Sequence, residues 1–163
     1  MKRPIRKVLP TLLLLLTVAV AAGCSSAPTA TSEPTKKPKI ATVEDIVNAF
    51  ENSGIPIAWV EVYTAETDPN ELLGRPGQYI AKANWADDRL EQSGGDPRGG
   101  TVELFKSQGD LRKRKEYIET VIQAFPPLAE YIYAKGNALL RLDHGLTPAQ
   151  AAEYQEVFES LDF

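Results

Sequence analysis

The stretch YIYAKGNALLRL, residues 131–142, constrains the fold of this chain more than any other. Gly136-Asn137 suits a two-residue hairpin turn of the I′ or II′ kind, between runs rich in Tyr, Ile and Leu. Fixing the turn fixes the register, because a slip of one residue would send every side chain to the opposite face. Lys135 then faces Ala138, Tyr133 faces Leu140 and Tyr131 faces Leu142. Tyr131, Tyr133, Leu140 and Leu142 share one face as aromatic–aliphatic cross-strand pairs. Ala134 and Leu139 lie on the other face, with Ile132 opposite Arg141.

The remaining elements follow from periodicity and punctuation. Thr42 with Asp45 three residues later resembles a capping box, and Val43, Ile46, Val47 and Phe50 fall on one helical face. A first helix over 43–53 would end at Gly54 and Pro56. Residues 57–64, IAWVEVYT, alternate as a strand, with Ala58, Val60 and Val62 on one face and Trp59, Glu61 and Tyr63 on the other. Arg75-Pro76-Gly77-Gln78 suits a type II turn. The strand after it, over 78–86, puts Tyr79, Ala81, Ala83 and Trp85 on one face. A third strand is expected over 101–106, with Val102 and Leu104 on one face. A helix then runs from the Ser107–Asp110 cap to Phe125 with a stripe of Leu111, Ile118, Val121, Ile122 and Phe125. Its Arg112-Lys113-Arg114-Lys115 run reads as a wet face, with Arg112–Glu116 and Lys115–Glu119 paired at i,i+4. Thr147-Pro148-Ala149-Gln150 is the best-capped start, and Ala151, Tyr154, Phe158 and Leu161 form the last stripe. The order α-β-β-β-α-β-β-α over residues 42–163 predicts one α+β domain, with about five antiparallel strands and three helices.

Ahead of that domain stands an address. Lys2, Arg3, Arg6 and Lys7 precede the apolar run LLLLLTVAVAAGC, residues 12–24. A basic start, a short apolar run and a small-residue exit make a secretory signal over 1–23, too short to span a membrane comfortably. Ala21-Ala22-Gly23-Cys24 resembles the lipobox of bacterial lipoproteins. That resemblance implies cleavage before Cys24, a diacylglyceryl group on its sulfur and often an acyl group on its amine. Two chains on one sulfur suffice for stable anchoring where one does not. The alternative is ordinary cleavage after Ala19-Val20-Ala21, leaving a soluble protein with a free thiol. Residues 25–39, SSAPTATSEPTKKPK, carry no large apolar side chain, so 24–41 is expected to be a disordered tether. The stretches VEVYTAETDPNELLGRPGQY and ALLRLDHGLTPAQAAEYQ also resemble small predicted bacterial lipoproteins, which adds to the address and implies no chemistry.

Composition then excludes some partners. Loss of residues 1–23 removes four of the 18 basic residues and none of the 22 acidic ones, leaving a net charge of −8. That argues against nucleic acid and against docking on anionic headgroups. With the single cysteine given to lipid, the domain must hold by its core without a disulfide.

Chemistry is sparse. His144 is the one histidine, beside Asp143 on a turn, where neighbours rarely point at each other and no nucleophile is assignable. Tetrahedral zinc needs several His or Cys ligands. The acidic loop over 87–100 lacks the spacing of a calcium loop. No phosphate, dinucleotide or nucleophile-elbow motif is present, so no catalytic residue, metal or cofactor is expected. One surface stands out. Trp59, Glu61 and Tyr63 on the first strand, with Glu103 and Phe105 on the third, would form an open recognition patch if helices cover only the opposite face. With helices on both faces, Trp59 and Tyr63 belong to the core.

The expectation is a non-enzymatic binding module, lipid-anchored through Cys24 to the outer face of the cell membrane, or to an outer membrane where one exists. Its partner would be an envelope protein, peptide or other envelope component. The alternatives are a small envelope hydrolase with a site built from loops, and a phage-exclusion-type blocking lipoprotein.

Overall fold

The computed structural model describes residues 42–92, 94 and 97–163, so the signal, Cys24 and the tether lie outside the described residues. Among the described residues, three helices and five strands follow in the expected order: α1 (Val43–Asn52), β1 (Ile57–Val62), β2 (Tyr79–Asp87), β3 (Gly99–Phe105), α2 (Gln108–Ala124), β4 (Glu130–Lys135), β5 (Ala138–Asp143) and α3 (Pro148–Ser160). The strands form one antiparallel sheet in the order β1-β2-β3-β5-β4, an α+β fold. Among the described residues no helix is long and apolar enough to cross a membrane.

Local signals set the ends of the elements. The Thr42 hydroxyl accepts from the Asp45 amide while the Asp45 carboxylate accepts from the Thr42 amide, closing the expected capping box. Thr147 and Gln150 do the same for α3, with Pro148 in its first turn. In the hairpin, Gly136 takes φ +58, and all five expected pairs from Tyr131↔Leu142 to Lys135↔Ala138 are in register.

One face of the sheet is apolar. Ala83, Trp85, Val102, Leu140 and Leu142 pack beneath α1 and α3, which contribute Val43, Ile46, Phe50, Tyr154 and Phe158 among others. Trp85 is completely buried at the centre, its ring 5.5 Å from Phe50 and 5.8 Å from Tyr154. Its indole N–H donates to the Tyr154 hydroxyl at 3.0 Å, which donates to Asp87 at 2.9 Å. The polar edge of each large ring is thereby satisfied inside the core.

The other face carries α2. Tyr79, Phe105, Leu111, Ile118 and Leu139 form a smaller apolar cluster there. Three expectations need correcting. The β2–β3 register shifts between Tyr79 and Ala81, so Tyr79 belongs with Phe105 under α2 and not with Trp85 under α1. A second irregularity between Ile57 and Trp59 interrupts the alternation of β1. Such bulges reset the facing of every residue beyond them. Third, the α2 stripe is shorter than expected, because Leu111 and Ile118 are buried whereas Phe125 is 55% exposed.

Gly100 is what lets the Trp85 ring lie flat on the sheet. It sits directly opposite Trp85, and a Cβ there would come within 2.1 Å of the indole. Overpacking a filled core costs about 1–3 kcal/mol. Gly100→Ala should therefore lower the urea midpoint by the equivalent of about 2 kcal/mol or more. Gly109→Ala, whose new Cβ would meet nothing closer than 3.6 Å in the first turn of α2, should be neutral or slightly stabilising. Equal midpoints for the two variants would refute this account of the core.

Candidate functional site

Charged residues of β3, β4 and β5 lie on the second face, and the structure pairs them with one another and with α2. Glu103 of β3 is fully buried. Arg114 of α2 forks it, with Nε donating at 3.2 Å and Nη2 at 3.0 Å. Arg141 of β5 approaches the same carboxylate at 3.6 Å and donates twice to Glu130 of β4, at 2.8 Å each. Burial disfavours the Arg141 charge, but Glu130 and Glu103 more than compensate and raise its affinity for the proton. The result is a chain of alternating charge, Arg114–Glu103–Arg141–Glu130, tying α2 to three strands. Bidentate guanidinium–carboxylate pairs of this kind fix geometry as well as charge. The Arg114 guanidinium also lies 5.7 Å from the Tyr79 ring and 5.9 Å from the Tyr117 ring.

Three further carboxylates hold loops around the sheet, Asp87 doing so on the α1–α3 side through Tyr154. Asp68 accepts from the Tyr79 hydroxyl at 2.6 Å, from Lys82 at 2.9 Å and from the Leu72 and Leu73 amides. Burial raises its pKa, yet those donors outweigh it and hold the carboxyl well below the usual range. Asp87 is likewise lowered against its burial, by Arg89, its own loop amide and Tyr154. Burial also opposes the lowering at Asp143, where Arg98 and the Gly145 amide prevail.

A groove of about 1050 Å³ opens beside α2 on this face. Thr101 and Gly100 of β3 line it, with Arg114, Tyr117 and Val121 of α2 opposite. Leu128, Glu130 and His144 line it as well. The volume is at the upper end for small-ligand sites. Tyr117 and Leu128 are 61% and 51% exposed, so the groove presents apolar surface to solvent.

A polar row leads from the groove toward β1. Arg141, Thr101, Asn84 and Glu61 are successive cross-strand partners. Among the described residues, Asn84 Oδ1 is buried without a hydrogen-bond partner. Neither Thr101 nor Glu61 has a side-chain hydrogen bond or ion pair among the described residues. An unpaired buried acceptor costs about 1–3 kcal/mol and calls for an explanation.

The five patch residues do not come together on an open surface. Trp59 is 45% exposed and Glu61 half-buried, but Tyr63, Glu103 and Phe105 are buried. α2 covers Glu103 and Phe105, while Lys82 Nζ sits 4.4 Å from the centre of the Tyr63 ring. The residues that sequence reasoning missed are Arg114, Tyr117 and Arg141. The signal for Arg141 is the hairpin register, which puts it on the face opposite Tyr131 and Tyr133, inside an apolar strand. The RKRK run conceals Arg114 among exposed neighbours, although Lys115 does pair with Glu119 as expected.

His144 lines the groove with Nδ1 3.8 Å from Asp143, beyond hydrogen-bond reach. Asp143 is already engaged by Arg98 at 3.0 Å through two nitrogens. The arrangement lacks an oriented general base. No group of three or more His, Cys, Asp or Glu among the described residues could hold a metal ion. No family model, curated protein or solved structure matches this chain.

The lowered carboxylates imply acid sensitivity with a definite sign. A carboxyl whose folded pKa lies below its unfolded value stabilises the fold fully above that unfolded value, near 3.8 for Asp87. That contribution is lost as pH falls through the lowered value. Asp87→Asn should therefore cost stability at about pH 7 and progressively less as pH falls below that unfolded value, flattening the acid limb of a urea-midpoint profile. A constant difference between variant and parent across that range would rule out the carboxylate as its source.

Proposed function

We propose that the protein is a membrane-anchored extracytoplasmic lipoprotein whose folded part is a non-enzymatic binding module, with the groove beside α2 as its ligand site. The observation that carries the reading is the pairing of charges in that groove. Glu103 and Glu130 are each forked by an arginine, so neither is free to act as an acid, base or nucleophile. What the groove offers instead is shape and exposed aromatic and aliphatic surface. A loop-built hydrolase would need His144 or a carboxylate poised for proton transfer, and Asp143 is engaged elsewhere.

The anchor rests on Lys2 to Cys24, and the net charge of −8 after cleavage is consistent with it. Binding through lipid does not need a basic surface. In this reading Trp59, exposed on β1, extends the binding surface, and Tyr63 is a structural residue whose replacement would confound any binding assay.

Intact-mass analysis of the membrane fraction tests the anchor. A mature terminus at Cys24 carrying a diacylglyceryl mass is expected, with Cys24→Ala moving the protein out of that fraction. A mature terminus elsewhere, or a Cys24→Ala chain still bound to membranes, would sink the lipoprotein reading.

A further inference from the structure

The two edges of the sheet are finished differently. β4 carries Lys135, whose ammonium donates to the Glu159 and Leu161 carbonyls at the end of α3, and its Glu130 is held by Arg141. A lysine is one of the devices by which natural sheets guard an edge. β1, the other edge, has no lysine, arginine or proline within it. Its sequence IAWVEV is β-branched and aromatic, with the single charge of Glu61, and Ala58, Trp59 and Val62 are exposed. The Tyr63 amide donates to the Lys82 carbonyl at 3.0 Å. Antiparallel alternation then turns the amide and carbonyl of Glu61 toward β2, and those of Val60 and Val62 away from it. Among the described residues no strand meets those outward groups, since β1 neighbours β2 alone.

Charge narrows what can pair there. From Thr42 to Thr67 the chain holds Glu44, Asp45, Glu51, Glu61 and Glu66 and no Lys, Arg or His. That span covers α1, β1 and the turn after it. Glu61 has no side-chain hydrogen bond or ion pair among the described residues. On the adjoining β2 and its turn, Lys82 and Arg89 are engaged by Asp68, Asp87 and Glu153. A field of this sign repels an acidic strand and a second copy of the same edge, and it attracts a basic strand.

We propose that β1 accepts a basic extended peptide as a further, antiparallel strand of the sheet. The peptide main chain pairs with the outward groups of Val60 and Val62. Trp59 and Glu61 face one side of the sheet, and Val60 and Val62 the other. A strand that alternates Lys or Arg with Val or Ile therefore meets both sides. Its cations lie beside the Glu61 carboxylate and the Trp59 ring, which favour them by ion pairing and by the negative ring face. Its apolar side chains lie beside Val60 and Val62. The irregularity between Ile57 and Trp59 ends the flat run, so pairing is confined to Trp59–Val62. None of the residues lining the groove beside α2 belongs to β1. The edge is a second surface, and it depends on neither the groove nor the anchor.

The test is an NMR titration of the full chain, uniformly labelled with ¹⁵N and held in neutral detergent. A capped hexapeptide of alternating lysine and valine is the probe, and its glutamate–valine counterpart is the comparator. The basic peptide should shift the Val60 and Val62 amides in a saturable way and slow their hydrogen exchange. The acidic peptide should do neither. Val62→Pro removes an outward amide and none that bonds to β2, so the folded spectrum should persist while affinity falls about fivefold. Glu61→Lys, at a side chain with no partner to lose among the described residues, should weaken binding by about fivefold as well. If the basic peptide leaves Val60 and Val62 unmoved at millimolar concentration, or if the acidic peptide binds as tightly, the proposal is overturned. Undiminished binding by Glu61→Lys, or by a folded Val62→Pro, would overturn it too. So would concentration-dependent shifts of the same amides without peptide, which would make a second copy of the chain the occupant.

Discussion

A carboxylate with no access to water, Glu103, decides how the second face of the sheet is built. A buried charge is tolerated only when it is paired and hydrogen-bonded. Arg114 reaches it from α2 through two nitrogens, and Arg141 adds a third contact from β5. Because both partners of the α2 fork are fixed in geometry, the helix is held at one place over β3 and β5. The apolar contacts beneath α2 are few, since burial within that helix is confined to Leu111 and Ile118. The ion chain thus sets the position of α2, and with it the groove between that helix and Thr101 of β3.

The two faces divide the labour of the fold. Under α1 and α3 the sheet is sealed by Phe50, Trp85, Tyr154 and Phe158, with one hydrogen-bonded path from indole to phenol to Asp87. That path continues to Arg89 and Glu153, which ties the chain just after β2 to α3. Asp68 does the same for the connection before β2 through Tyr79 and Lys82, and Asp143 for the turn before α3 through Arg98. Each long connection is pinned by a carboxylate whose protonation is opposed. The chain has no disulfide to do this work, since it carries a single cysteine.

Signals confined to a few neighbouring residues are legible in the amino-acid sequence itself. The Gly136-Asn137 turn specifies the register of β4 and β5, and Thr42, Ser107 and Thr147 mark the helix starts. Strand facing is legible only up to the bulges. An extra residue at Ile80 leaves the alternation of β2 looking regular on paper, yet it moves Tyr79 to the other side of the sheet. The candidate patch fails for a longer-range reason. Whether Glu103 and Phe105 face solvent depends on where α2 docks, and α2 docks through Arg114, one cation in a run of four. No local pattern separates a cation that forks a carboxylate 11 residues back from one that points to water. Arg141 is legible as an inward-facing arginine, but its partners lie on β3 and β4 and only the folded sheet supplies them.

The placement of α2 by buried charge is the claim on which the groove depends. A double-mutant cycle on Glu103 and Arg114, with leucine at each position and stability read from urea unfolding, tests it most directly. Each single variant should lose about 3–5 kcal/mol, because it strands the other charge in the interior. The double variant should lose far less than the sum of the two. Strictly additive losses would show that the two side chains do not act on each other, and that α2 is held by something else.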